Sequence, residues 1–241
     1  MQENKEIFIE IDESGTYSTV PSKSIENDYY FLICSFISEK KLIKENNKPF
    51  HYRTLIQFPK ISIEKKKTSL INMATKINKM NVFYSCLKIN KNNFTDEDYE
   101  SKTDLIISKH FKELLYKLTN NNNLTVNINY DNGQGGLTKI LNRIVIEFQE
   151  ETGRKINLCS KKNSHNLDHG YADFLVSWEK VKLKKANNKL GVNEKVIFSD
   201  ISLFTTIDNI VKTKNIENLK FENFEDLLVP EEDDPDDPPI N

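Results

Sequence analysis

Three cysteines, three arginines, one tryptophan and seven glycines are all that this chain of 241 residues holds of these types, and the shortages exclude several classes of protein. Cys34, Cys86 and Cys159 are far apart, odd in number and set in apolar stretches. Neither a disulfide framework nor a zinc site is expected from them, and they read as reduced core thiols. No stretch approaches the ~20 apolar residues that cross a bilayer. The opening Met-Gln-Glu-Asn-Lys-Glu lacks the basic start and apolar run of a secretory leader, which predicts a cytoplasmic protein with no membrane partner. No internal repeat is visible.

What is present suffices for one large domain: 37% of the residues are hydrophobic. The net charge of −2 hides an uneven distribution, because residues 225–241 carry eight acidic side chains and no basic one. Without them the body holds 34 basic and 28 acidic residues, a balance that can meet a phosphate backbone. The proline-broken segment 229–241 is expected to be a disordered acidic tail. It reads either as a solubilising end or as a device that docks a protein partner or shields a basic groove.

Hydrophobic spacing divides the rest. Ile7, Ile9 and Ile11 alternate with Phe8, Glu10 and Asp12, a period of two that ends at Ser14-Gly15, so a first strand enters a turn there. Tyr29 to Ile37 reads as its hairpin partner, and Asn81 to Ile89, Thr125 to Asp131 and Ile156 to Ser160 as further strands. Helical spacing covers Ile63 to Met80, Asp104 to Leu118, Leu137 to Glu151 and Asp168 to Ala186. Early antiparallel strands followed by alternating strands and helices predict an α/β fold with a mixed sheet and helices on both faces. The main domain is assigned to residues 1–190. Residues 191–228 form a C-terminal extension or small subdomain, whose elements the pattern does not decide.

Ligands of such sheets gather at strand ends, and there the candidate residues lie. Asp12-Glu13-Ser14-Gly15 closes the first strand with two adjacent carboxylates. Neighbouring strand residues point to opposite faces, so Asp12 is the stronger ligand for a cation and Glu13 an assistant. The same four residues also read as a hydrogen-bonded turn. Asp131, in Tyr130-Asp131-Asn132-Gly133, sits at another strand end and equally fits a common turn signal. The adjoining Gly133-Gln134-Gly135-Gly136 lacks the lysine of a phosphate loop and reads as a hinge. Asp173 lies at the border of an apolar helix face made by Tyr171, Phe174, Leu175 and Trp178, where a solvated flank is the plainer reading. Upstream, Lys161, Lys162, His165, Asp168 and His169 offer phosphate contacts or an acid/base; these histidines and His51 also read as solvated loop residues. Three acids at a first-strand end, a later-strand end and a late helix form the kind of oxygen-donor set that takes one or two Mg²⁺ or Mn²⁺ ions. Two such ions about 4 Å apart activate water and steady the leaving oxygen in phosphodiester cleavage.

Over roughly residues 6–180 the chain resembles the family catalogued as domain of unknown function 3800. The residues that carry the likeness are the hydrophobic first strand ending Asp12-Glu13-Ser14-Gly15, the late-helix Ala172-Asp173-Phe174-Leu175, and His51 after the second strand. The chain departs from the family at His169-Gly170-Tyr171, where a glutamine and an apolar residue usually precede the Ala-Asp pair. The resemblance implies a ribonuclease H-like fold, with Asp12, Asp131 and Asp173 as ligands of Mg²⁺ or Mn²⁺ and Glu13 as a further acid. It also implies nucleic acid, DNA or RNA, as substrate, and a place in phage defence or a mobile element, with Lys161, Lys162 and His169 the phosphate contacts that the sequence itself offers. A non-catalytic protein that keeps the fold, and a phosphatase using the same acids, are the rival readings.

Overall fold

The computed structural model describes residues 5–24, 29–39, 52–119, 124–130, 134–160 and 170–218. Asp131, Lys161, Lys162, His169, His51, His165, Asp168 and the acidic tail lie outside these described residues.

Among the described residues, five strands form one sheet: β1 (Lys5–Ser14), β2 (Tyr30–Ser38), β3 (Val82–Asn90), β4 (Leu124–Tyr130) and β5 (Ile156–Ser160). Their order is β3-β2-β1-β4-β5, with β1 in the middle. β2 pairs antiparallel with both β1 and β3, whereas β4 pairs parallel with β1 and β5 parallel with β4. The reason is in the connections. β2 is positioned as a hairpin partner of β1, whereas β4 and β5 are each reached through a helix, as parallel neighbours require.

Among the described residues, seven α-helices cover both faces: α1 (Tyr52–Gln57), α2 (Ile63–Lys79), α3 (Asp96–Leu118), α4 (Gly135–Thr152), α5 (Gly170–Ala186), α6 (Val192–Ile197) and α7 (Ile201–Lys212). On one face, Ile7, Ile9 and Ile11 of β1 pack with Val126, Ile128 and Tyr130 of β4 beneath α3 and α4. On the other, Leu32, Cys34 and Phe36 of β2 pack with Tyr84 and Cys86 of β3 beneath α2, α5, α6 and α7. The mixed sheet with helices on both faces is therefore the arrangement expected from the sequence.

The expected extension is described as far as residue 218. Within it, α7 packs on α2, and Leu203, Ile207 and Val211 join the second core. The chain then returns to the sheet edge, where the Tyr84 N–H donates to the Lys214 carbonyl at 2.8 Å and Tyr84 pairs with Asn215. Helix α3 begins at Asp96, well before Asp104. Thr95 and Asp98 form a capping box there, and Asp96, Glu97 and Asp98 place negative charge at the helix's positive end.

Candidate functional site

The site is built from the end of β1. Residues 7, 9 and 11 face the first core, so Glu10 and Asp12 face the other side, across from Phe36 and Cys34 of β2. Helix α5 covers that side, with Tyr171 stacked on Phe36 at 5.5 Å between ring centres. Asp173, two residues further along α5, is thus on the same side of the sheet as Asp12. It is half-buried, and its Oδ2 accepts the Tyr52 N–H at 2.9 Å, which caps α1. Asp12 is half-buried too, and its charge reaches the Cys34 thiol and the Tyr130 hydroxyl. Burial first, then the nearby Cys86, Glu179 and Asp12, raises the Cys34 pKa well above the ordinary thiol value. Burial likewise raises that of Cys86, and with both cysteines free they are thiols, as the sequence suggested.

Glu13 sits on the opposite face. Gln134 Nε2 contacts its Oε1 at 3.4 Å, and the Tyr130 hydroxyl is hydrogen-bonded to it. Burial and the Glu13 charge together raise the Tyr130 pKa, so the phenol stays protonated. Strand alternation therefore separates Glu13 from Asp12, and the structure brings Glu13 to the start of α4 instead.

Gly15 has φ 95, a backbone state that glycine takes without strain, and there the chain leaves the strand. The turn is then clamped by Gln134: its Oε1 accepts the Tyr17 N–H at 2.6 Å and its Nε2 donates to the Gly15 carbonyl at 2.9 Å. Part of the segment read as a hinge is thus a junction that fixes the β1 turn to the first turn of α4.

Two acids were missed in the sequence. Glu10 is 4% exposed, on the Asp12 face, with Asn129 of β4 as its register neighbour. Its signal was the same period of two that singled out Asp12. Glu179 is fully buried on α5 and binds the Tyr84 hydroxyl, Lys88 and Lys182. Flanked by lysines in Glu179-Lys180-Val181-Lys182, it carried no sequence signal that would separate it from a solvated helix flank.

Glu10, Asp12 and Asp173 offer only oxygen donors, which suits a hard divalent cation. Among the described residues, no group of three or more His, Cys, Asp or Glu side chains is placed to hold a metal ion. Asp131, the remaining acid of the expected set, follows Tyr130 and is outside those residues. The same holds for Lys161, Lys162 and His169.

No protein-family model matches the chain, and no curated protein matches it. A chain of the solved PCNA:RNase HII complex from Archaeoglobus fulgidus is similar in structure over 92% of this chain and 99% of that one, at 12% sequence identity and a TM-score of 0.41. The architecture is α/β, a mixed sheet of order β3-β2-β1-β4-β5 with helices on both faces. Among the described residues, no helix is long and apolar enough to cross a membrane.

Proposed function

We propose that this protein is a divalent-metal-dependent nuclease, related to the domain of unknown function 3800 family, in which Asp12, Asp131 and Asp173 hold Mg²⁺ or Mn²⁺. One observation carries the reading. Asp12 stands at the C-terminal end of the central strand, on the sheet face that α5 covers with Asp173, and Glu10 is buried two residues before it. Carboxylates on one face of the sheet supply the oxygen donors that a hard divalent cation takes. A bound divalent ion supplies charge stabilisation to a phosphodiester under attack by water. The protein's own part is to hold the carboxylates in place: β1 fixes Asp12, and the Tyr52 N–H orients Asp173. Lys161, Lys162 and His169 are assigned to phosphate. A place in phage defence or a mobile element, and action in the cytoplasm, follow from the resemblance and the sequence.

A second reading has one observation in its favour. The Asp173 carboxylate serves as the cap of α1, a structural task. A binding protein that keeps the fold and engages a partner through its acidic tail would need no more than that.

Labelled single- and double-stranded DNA and RNA, incubated with wild type and Asp12→Asn in Mn²⁺, Mg²⁺ or EDTA, separate the two. Cutting that needs metal and is lost in the variant supports the nuclease. Inactivity of both proteins, with neither Tm moved by Mn²⁺, selects the binding protein, since a ligand of the native state raises Tm by mass action.

A further inference from the structure

At the end of α5 distant from Asp173, a cavity of about 230 Å³ opens between that helix and the start of β2. Tyr29 and Tyr30 line it from the strand, Lys180, Lys184 and Lys189 from α5 and the turn after it, and Asn92 from the loop after β3. Lys189 stands over the Tyr29 ring, its ammonium 5.2 Å from the ring centre, so cation and aromatic face meet in one place. Lys184 is bonded to both oxygens of Glu194 at 3.2 Å, and that carboxylate offsets its charge. Lysines near a helix C-terminus are ordinary. Two tyrosines at the mouth of the same cavity are not explained by the helix.

We propose that this cavity binds a nucleotide, with the base stacked on Tyr29 or Tyr30 and the phosphate held by Lys180 and Lys189. Aromatic faces beside cations are the combination that holds nucleic acid without reading its sequence. The volume is below the roughly 300 Å³ at which sites for drug-sized ligands begin, so the cavity takes part of a nucleotide, the base on the tyrosines, with the rest lying in its open mouth. Tyr30 lies on the same sheet face as Asp12, four residues along β2 from Cys34, which is opposite Asp12. At about 3.3 Å per residue that is ~13 Å. Leu32 and Cys34 between them are buried beneath α5, so a single strand seated in the cavity reaches Asp12 by passing around that helix. That continuation rests on the nuclease reading, whereas the binding itself does not.

The test measures binding in EDTA, where cleavage plays no part. Adenosine 5′-monophosphate, inorganic phosphate and a labelled oligo-dT are titrated into wild type, Tyr29→Ala and Lys189→Glu. The backbone bonds from the Lys91 N–H to the Tyr29 carbonyl and from the Lys189 N–H to the Lys184 carbonyl survive both changes, and Tm confirms the fold. Wild type should bind a nucleotide more tightly than phosphate, and Tyr29→Ala at least about fivefold more weakly, the lower end of the effect of losing one base stack. Lys189→Glu should weaken binding and flatten its salt dependence. Binding of the monophosphate identifies a free nucleotide as ligand; binding of the oligonucleotide alone identifies a strand. Equal affinities in all three proteins, phosphate bound as well as the nucleotide, or no binding at millimolar concentration would each overturn the proposal. Variant-sensitive binding by a protein that cuts nothing would sink the nuclease reading alone.

Discussion

Glu179→Ala should be the most damaging single change on the α5 face. The carboxylate is fully buried, accepts the Tyr84 hydroxyl at 2.9 Å, and pairs with Lys88 at 2.6 Å and Lys182 at 3.0 Å. The two lysine side chains are 35% and 28% exposed, so both can recover water when the carboxylate is gone. Tyr84 is wholly buried and cannot, and an unmet buried donor costs about 1–3 kcal/mol. With the broken ion pairs, discounted for their exposure, the loss comes to roughly 3–5 kcal/mol. For a chain of this size that lowers Tm by about 6–20 °C. Glu179→Gln keeps an acceptor for Tyr84 and the side-chain volume, so it should lose about half as much or less. Acid supplies a second readout. Burial pushes the Glu179 carboxyl up, but Lys88 and Lys182 outweigh burial and hold it below its ordinary 4.5. A depressed folded pKa means a stabilisation that is complete above the unfolded value and lost as pH falls through the folded one. The wild-type advantage over Glu179→Gln should therefore shrink below about pH 4.5. Thermal melts of the three proteins from pH 7 downward measure both effects. A fall of under ~2 °C for Glu179→Ala at pH 7 would refute the reasoning, since that is the size of an ordinary surface substitution.

Neighbouring glycines should respond oppositely: a methyl on Gly136 collides with the Tyr17 ring, while one on Gly135 meets nothing within 4 Å. Tyr17 is bonded to Asp104 and packed on Phe31, so Gly136→Ala should cost about 1–3 kcal/mol in denaturant unfolding, with Gly135→Ala neutral or mildly stabilising. Thr95→Ala removes the α3 capping box and should cost ~1 kcal/mol by the same assay. Burial, aided by Lys117 and opposed by Glu113, lowers the His110 pKa from 6.5 in the fold, beside Ser85. The unfolded chain then takes up the proton first, so stability should decline as pH drops below 6.5, and His110→Gln should flatten that decline between pH 7.5 and 5.5.

Strand alternation made most of the sheet legible. Ile7, Ile9 and Ile11 sit in one core as their spacing demands, and the same rule separates Asp12 from Glu13. It would also have paired Glu10 with Asp12, had burial of a glutamate been expected. Helix α3 was shortened because its first turn is acidic and carries no apolar stripe; the capping box is the signal that marks its start. The six-residue helices α1 and α6 are too short for a periodicity to appear. The Tyr52–Asp173 bond joins residues 121 apart in sequence, and the Glu179 network joins Tyr84 and Lys88 of β3 to Lys182 of α5. Contacts of that kind are made by tertiary packing, and no local pattern announces them.

The pairing of Tyr84 with Lys214 and Asn215 bears on how this protein may be shortened. Strand β3 is an outer strand, and its backbone groups on that side are a template on which another chain can build. Residues 214 and 215 occupy part of that template. A truncation after residue 218 removes the eight tail acids and leaves this strap in place. One that stops before Lys214 bares the outer strand as well, and should show edge-to-edge self-association that the longer truncation does not.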